Sequence, residues 1–190
     1  MRSNICTFKR NAANLANILE ETNKIAQYNN LEKKESLRLR LLAEEMVGLL
    51  TDLAKKFDGE FYIENEGKKY ELHSIINIPE MTSEIRKDLI EFSSQKKNSA
   101  SKGILGKIRN AFDVMLLNFF ENGNIYIPNN SDSYDYNTYY EWDLVNYVEK
   151  TEQKDEVKEE LQKSIIGNIA DNVVVSIKGG KVNIIISKTF

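Results

Sequence analysis

Two adjacent carboxylates, Glu44 and Glu45, stand in the amphipathic stretch LRLRLLAEEMVGLLTDLAKK, residues 37–56. A carboxylate can act as a general base or can bind a hard cation such as magnesium, which prefers oxygen ligands. On a helix, side chains four residues apart share a face, and at that spacing Glu44 is followed by Gly48 and Glu45 by Leu49. Neither follower has an oxygen on its side chain. The two glutamates are therefore candidate catalytic residues without a metal-binding neighbour, and the alternative is that they form the polar flank of a buried helix.

A second candidate for ligand binding is the glycine-containing loop formed by Lys102, Gly103, Gly106 and Lys107. Free N–H groups and the helix dipole attract phosphate where such a loop opens a helix. The spacing differs from a P-loop, because two residues rather than four separate the glycines and Ile108 replaces the Ser or Thr. Other side chains that would join an anion site here are Lys96, Lys97 and Ser101. The alternative is a surface loop whose lysines are solvated.

His73 is the sole histidine, and Cys6 is the sole cysteine. A lone histidine could act as a general base or bind zinc. With no second histidine or further cysteine to complete a set of zinc ligands, we expect no metal site and place His73 on the polar face of a sheet. A single cysteine also excludes an intramolecular disulfide, which suits a reducing cytosol.

An aromatic cluster lies in residues 121–150, which we interpret as a tyrosine-rich insertion. The aromatic residues of this cluster are Tyr134, Tyr136, Tyr139, Tyr140, Trp142 and Tyr147. Aromatic side chains are enriched at protein-binding surfaces, but these could equally pack the insertion onto the body of the protein. Single-stranded nucleic acid would stack on such rings. We discount it because residues 121–160 carry eleven acidic residues against three lysines.

The bulk composition is that of one globular domain spanning residues 1–190. Apolar residues make up 41% and charged residues 29% of the chain, with a net charge of −3, which argues against a general nucleic-acid binder. No stretch approaches the roughly 18 consecutive apolar residues that a membrane span needs. We expect a cytoplasmic protein that binds neither nucleic acid nor membrane.

The pattern of apolar residues predicts which elements position these candidates. Alternation predicts a short strand at 4–9 and hairpins at 60–76, with a turn at Glu66–Gly67, and at 173–187. Three- and four-residue spacing predicts helices at 11–28, 33–56, 82–93, 104–119 and 152–170. The buried stripe of the second helix is expected to contain Leu42, Met46, Leu50 and Leu53. The sequence therefore predicts an α+β fold, a two-layer sandwich with a mixed, mainly antiparallel sheet and helices on one face.

Two groups of residues resemble the histidine-kinase-type (GHKL, or Bergerat) ATPases, and among them the bacterial anti-sigma-factor kinases. The first group consists of Asn14, Leu15, Ile18, Ala26, Leu31, Leu39, Leu41, Ala43, Glu44 and Glu45. The second consists of Ile165, Ile169, Ala170, Asp171, Asn172 and Val173, with the hairpin that runs to Lys188. The similarity covers about residues 4–93 and 160–188, and it implies the histidine-kinase-like ATPase fold.

The resemblance also implies a chemistry, and the sequence departs from it. The family uses a helical glutamate to polarise water, an asparagine four residues later to bind magnesium, an Asp-x-Gly-x-Gly turn to read adenine, and a glycine-rich loop for phosphate. Here Gly48 or Leu49 replaces the asparagine, and residues 77–81 (NIPEM) replace the adenine turn. Of the family's ligand-binding features, only the phosphate-binding loop has a candidate here, at residues 102–107.

We therefore expect a catalytically degenerate regulatory or protein-interaction module in which Glu44 and Glu45 are relics. No cofactor is expected, a protein partner is expected, and a homodimer is left open. The alternative is a divergent ATP-binding protein of the anti-sigma-factor serine kinase type, using ATP with magnesium.

Overall fold

A computed structural model describes residues 1–9, 15–53, 57–77, 140–151, 164–178 and 181–190. The predicted helices at 82–93 and 104–119, the loop at 102–107 and residues 121–139 lie outside these ranges. The same holds for residues 152–163, which include most of the last predicted helix.

The described strands form one six-stranded sheet in the order β1-β2-β3-β6-β5-β4. The strands are β1 (Cys6–Phe8), β2 (Asp58–Glu66), β3 (Lys69–Asn77), β4 (Tyr140–Asp143), β5 (Asn172–Lys178) and β6 (Lys181–Thr189). Both predicted hairpins are confirmed, and both belong to this sheet. The predicted strand near the N-terminus is confirmed as well. Every pairing among the described strands is antiparallel, so the mixed sheet we expected is not found among these residues.

Alternation along the strands gives the sheet one buried and one half-buried face. Directly opposed residues share a face, and the row Phe61, Ser74, Ile184 and Val175 is buried across four neighbouring strands. The next row along, Tyr62, His73, Ile185 and Val174, belongs to the other face and is half-buried. Polar and charged side chains on β2 and β3 therefore concentrate on this second face.

The first hairpin turns at Gly67 and Lys68, one residue later than the predicted Glu66–Gly67 turn. Gly67 has a φ of +57°, a conformation that glycine adopts without the clash a Cβ would cause. The turn makes Glu66 and Lys69 the closing pair and sets Glu64 directly opposite Glu71. A turn at the predicted position would have given both glutamates different partners.

Two long helices cover the buried face of the sheet. Helix α1 (Ala16–Tyr28) and helix α2 (Lys33–Leu53) are joined by a turn in which Asn30 has a φ of +52°. The Leu31 N–H donates to Ala26 O and the Asn30 N–H to Gln27 O, the pattern of a Schellman motif. This cap reverses the chain, so that α1 and α2 pack against each other and against the sheet.

The stripe predicted for the second helix lies in the core. Leu42, Met46 and Leu50 are fully buried, together with Leu39; the side chain of Leu53 lies outside the described residues. They join one cluster with the buried sheet face. A short helix, Ile165–Ile169, contributes Ile166 to the same cluster and is capped by the Ser164 hydroxyl, which accepts from Gly167 N–H.

The end of the segment that we interpreted as a tyrosine-rich insertion belongs to the sheet. Strand β4 pairs with β5, and helix α3 (Leu144–Thr151) follows it directly; the helix at Ile165–Ile169 is then α4. The Asp143 carboxylate accepts from Asn146 N–H at 2.8 Å, as an N-cap residue does. The Trp142 and Tyr147 rings, 5.7 Å apart, are partly buried against the core. These two aromatic residues thus pack their segment onto the body.

None of the described helices combines the length and the apolar composition needed to cross a membrane.

Asp171 ties the start of β5 to the end of β6. Its carboxylate accepts from Lys188 Nζ at 2.6 Å and from Thr189 N–H at 2.6 Å. Burial acts to raise the pKa of Asp171, but the Lys188 ammonium and the Thr189 N–H outweigh it and hold that pKa below its ordinary value. The ionised form is therefore the one that the folded state stabilises.

The depressed pKa predicts a loss of stability in acid. The unfolded chain binds the proton more readily, so the Asp171 contribution is present above the unfolded pKa of about 3.9 and is lost as the pH falls through the folded value. We expect Asp171→Asn to lose less unfolding free energy than the wild type between pH 7 and pH 3, measured by urea unfolding. The exposed Glu66 supplies the control variant Glu66→Gln, and equal losses in wild type and Asp171→Asn would contradict the prediction.

Candidate functional site

Glu44 lies on the exposed side of α2 and is held by an arginine. Arg40 Nε donates to Glu44 Oε1 at 3.0 Å, in an i,i+4 ion pair with both side chains partly exposed. One turn further along the same face is Gly48, which is exposed, and a Cβ added there would meet no atom within 4 Å. Along the row Arg40, Glu44, Gly48, the carboxylate is thus ion-paired with the arginine on one side and lies beside open space on the other.

Glu45 lies on the side of α2 that turns towards the core and is half-buried. Burial first, and the neighbouring Glu44 second, raise the pKa of the Glu45 carboxyl. A raised pKa favours the protonated form of this carboxyl relative to an exposed glutamate. The residue four positions on, Leu49, is buried, so this row of the helix enters the apolar core.

The other nucleotide-related positions lie almost wholly outside the described residues. Of residues 77–81 only Asn77 is described, at the end of β3. The loop formed by Lys102, Gly103, Gly106 and Lys107 is not described. The anion-binding role of that loop stays a prediction.

The second face of the sheet carries a cluster of ionisable side chains that the sequence analysis did not assemble. Glu64 on β2 stands directly opposite Glu71 on β3, and His73 follows Glu71 by two residues on the same face. His73 Nε2 lies 3.4 Å from Glu71 Oε2 and 3.9 Å from Glu64 Oε2. One ligand atom from each of the three residues lies within 4.8 Å of the other two. We call these three residues the sheet-face triad.

Each glutamate of the sheet-face triad is also paired with a cation through its other oxygen. Lys69 Nζ lies 2.7 Å from Glu71 Oε1, and Arg2 Nε lies 3.7 Å from Glu64 Oε1. Like charges opposed on neighbouring strands are destabilising by themselves, and the two cations offset that repulsion. The Oε2 atoms remain directed at the imidazole.

Aromatic stacking fixes the plane of the imidazole. The Tyr62 ring stacks on His73 with centroids 4.8 Å apart and planes 9° from parallel. Arg2 covers the other side of Tyr62, with its guanidinium carbon 3.6 Å from the ring centroid, in a cation–π contact. Arg2 thus supports the triad twice, through Glu64 and through the stack.

The imidazole is largely enclosed but lacks a hydrogen bond at Nε2. The His73 side chain is 13% exposed, and Nε2 is enclosed without a hydrogen-bond partner. Burial lowers the pKa of His73, and the attraction of Glu71 and Glu64 offsets that effect only in part. Lys69 holds the pKa of Glu71 below its ordinary value. The triad therefore combines a neutral imidazole with an ionised Glu71 carboxylate at neutral pH.

A pocket of about 510 Å³ opens beside the triad, near the turn of the first hairpin. Its lining residues are Met1, Arg2, Glu64, Asn65, Glu66, Lys69 and Glu71. Two members of the triad therefore line a space from which solvent or a small ligand can reach them.

Sequence reasoning placed His73 on the correct face of the sheet but considered it alone. The signal that could have found the triad was the hairpin register, because that register decides which residue opposes Glu71. Comparison with protein-family models, with curated proteins and with solved structures finds no match for this chain.

Proposed function

We propose that this protein is a regulatory, protein-interaction module with a histidine-kinase-like ATPase fold that does not hydrolyse ATP. The observation that carries the proposal is the row Arg40, Glu44, Gly48 on α2. Hydrolysis in that fold needs a metal that bridges the phosphates and neutralises developing charge. The helix supplies a carboxylate already paired with Arg40 and, one turn later, no side chain that could bind the metal.

The order of elements supports the fold part of the proposal. The elements β1, α1, α2 and the β2–β3 hairpin come first, and β4, α3, α4 and the β5–β6 hairpin follow, in one sheet whose buried face carries α1 and α2. Apart from β4 and α3, these elements lie in the two regions of the chain that resemble histidine-kinase-type ATPases.

Exposed apolar side chains on the helical layer support a protein partner. Tyr28 at the end of α1 is 73% exposed and Leu37 near the start of α2 is 56% exposed, on either side of the turn that joins the helices. Aromatic and large aliphatic side chains outside the core are the residues that protein interfaces recruit. Sedimentation velocity at several concentrations separates the partner classes: self-association abolished by Tyr28→Ser with Leu37→Ser would identify a homodimer.

We expect no magnesium-dependent ATP hydrolysis and no stabilisation by ATP with magnesium. A ligand present at about 100 times its Kd adds about 2.7 kcal/mol to the folded state, which is visible as a rise of several degrees in a thermal melt. Melts with and without ATP and magnesium, and phosphate release by the purified protein, measure the two expectations.

The matched variants for this assay are Glu44→Ala, Glu45→Ala and the control Glu66→Ala on the exposed end of β2. Turnover that disappears in either helix variant and survives in the control would contradict the proposal. That result would instead favour the divergent ATP-dependent kinase.

The variant Gly48→Asn tests whether the chain fails to bind ATP only because it lacks one oxygen ligand for magnesium. The open space at Gly48 admits the side chain, and the asparagine would stand four residues after Glu44. We expect no gain of ATP binding, because residues 77–81 (NIPEM) also lack the aspartate and the glycines of the turn that would read adenine. A gain would show that the rest of the nucleotide site is intact.

A further inference from the structure

We propose that the sheet-face triad of Glu64, Glu71 and His73 binds a divalent first-row transition-metal ion, for which Zn²⁺ is the probe. This site goes beyond the proposed function, since it uses the sheet face rather than α2. Imidazole nitrogen and carboxylate oxygen are both established zinc ligands, and three protein ligands completed by water form a complete tetrahedral site.

The two donor–donor distances that involve His73 are close to those of a zinc site, and the third is within 4.8 Å. With bonds of about 2.0–2.2 Å, two ligands of a tetrahedral zinc ion lie about 3.3–3.5 Å apart. The His73–Glu71 separation of 3.4 Å already matches, and the His73–Glu64 separation of 3.9 Å is slightly long. Since the Glu64 side chain is 46% exposed, it has room to move the short distance that remains.

The enclosed Nε2 atom of His73 is the independent sign of a ligand. A buried polar atom without a partner costs free energy, and each such atom calls for an explanation. Here Nε2 points at two carboxylate oxygens and forms a hydrogen bond with neither. A metal ion between the three atoms would satisfy the nitrogen lone pair and both oxygens together.

The surrounding residues act as supports that orient the ligands. Lys69 and Arg2 contact the Oε1 atoms and leave the Oε2 atoms free to face Nε2. The Tyr62 ring fixes the imidazole plane. Such outer contacts commonly hold metal ligands in place. The two cations also reduce the attraction for a dication, so we expect a site weaker than a fully anionic one.

The pocket beside the triad gives access to the proposed site. Glu64 and Glu71 line this space of about 510 Å³, from which water can fill the fourth position.

The test is zinc titration of the full chain, stripped of metal and free of any histidine tag, at pH 7.5. We expect one saturable site per chain by calorimetry and a higher midpoint of thermal unfolding with zinc. His73→Gln and Glu71→Gln should each weaken zinc binding by at least about tenfold, since even changes to supporting residues cost 10- to 100-fold. Glu60→Gln is the matched control, because Glu60 lies on the same strand and face as Glu64 but about 13 Å along the strand.

Ring-nitrogen NMR makes the test independent of the variants. His73 is the sole histidine, so a single imidazole spectrum reports the site, and zinc should shift its Nε2 resonance. The shift also separates this site from zinc on Cys6, whose side chain is buried on the opposite face of the sheet. A titration without a saturable site, an unmoved Nε2 resonance, or equal binding by His73→Gln and Glu60→Gln would overturn the proposal.

Discussion

Leu42→Ala is expected to lower the free energy of unfolding by about 2–5 kcal/mol, the range for truncating a large aliphatic side chain in a tight core. Leu42 is fully buried on α2, between Leu39 and Met46 in the stripe that covers the sheet. The loss combines the transfer free energy of the removed carbons with the cavity that remains. Urea unfolding followed by circular dichroism measures it.

The control is the same substitution at Leu37, five residues earlier on the same helix. Its side chain is more than half exposed, so Leu37→Ala removes little buried surface and is expected to change stability by less than about 0.5 kcal/mol. Comparable losses at both positions would mean that the buried stripe of α2 is misplaced.

Gly59→Ala is expected to destabilise the protein by about 1–3 kcal/mol, the usual cost of overpacking a core. A Cβ at Gly59 would lie 2.6 Å from the carbonyl oxygen of Ile75 and 2.8 Å from Cε2 of Phe8. Gly59 pairs with Phe8 on β1 and with Ile76 on β3. Because the carbonyl belongs to the backbone of β3, relief of that contact requires β2 and β3 to separate, and relief of the second contact requires the Phe8 ring to move from its buried position.

Gly48→Ala is the matched control, in which the same methyl group enters open space. Nothing lies within 4 Å of its Cβ, and alanine favours a helix interior over glycine by about 0.5–1 kcal/mol. We expect opposite signs in urea unfolding: Gly59→Ala lowers and Gly48→Ala raises the unfolding free energy. A neutral Gly59→Ala would show that the Phe8 ring and the Ile75 carbonyl do not approach Gly59 as closely as described.

The parts of the fold that could be predicted from sequence depend on local periodicity. The four-residue spacing of Leu42, Met46 and Leu50 predicted the buried side of α2, because helical geometry alone fixes which side chains share a face. Alternation in the first hairpin likewise placed His73 opposite the core. Neither inference requires knowledge of which elements are neighbours.

The parts that could not be predicted depend on pairing. Moving the turn of a hairpin by one residue shifts the pairing of its strands by two residues. Each side chain then stays on the same face of the sheet but has a different partner. The one-residue error in the predicted turn therefore concealed the Glu64–Glu71 pair. The position of β6 between β3 and β5 likewise cannot be predicted from the local pattern of apolar residues. The candidate site on the sheet depends on that register, which is why the sequence offered only an isolated histidine.

The position of β6 in the sheet also bears on how the chain can fold. Asn77 pairs with Lys181, and Lys69 with Thr189, so more than one hundred residues of chain separate the two strands. Pairings between residues so far apart in sequence slow folding, because the chain loses the entropy of loop closure before the strand contacts can stabilise the pair. At a synthesis rate of about 5–20 residues per second, the β3 edge waits for roughly 5–20 s before β6 exists. During that interval the β3 edge of the hairpin is without the β6 partner that it has in the folded sheet. Such an edge is a template for pairing with other chains, so aggregation through β3 is a hazard of the newly made chain until β6 arrives.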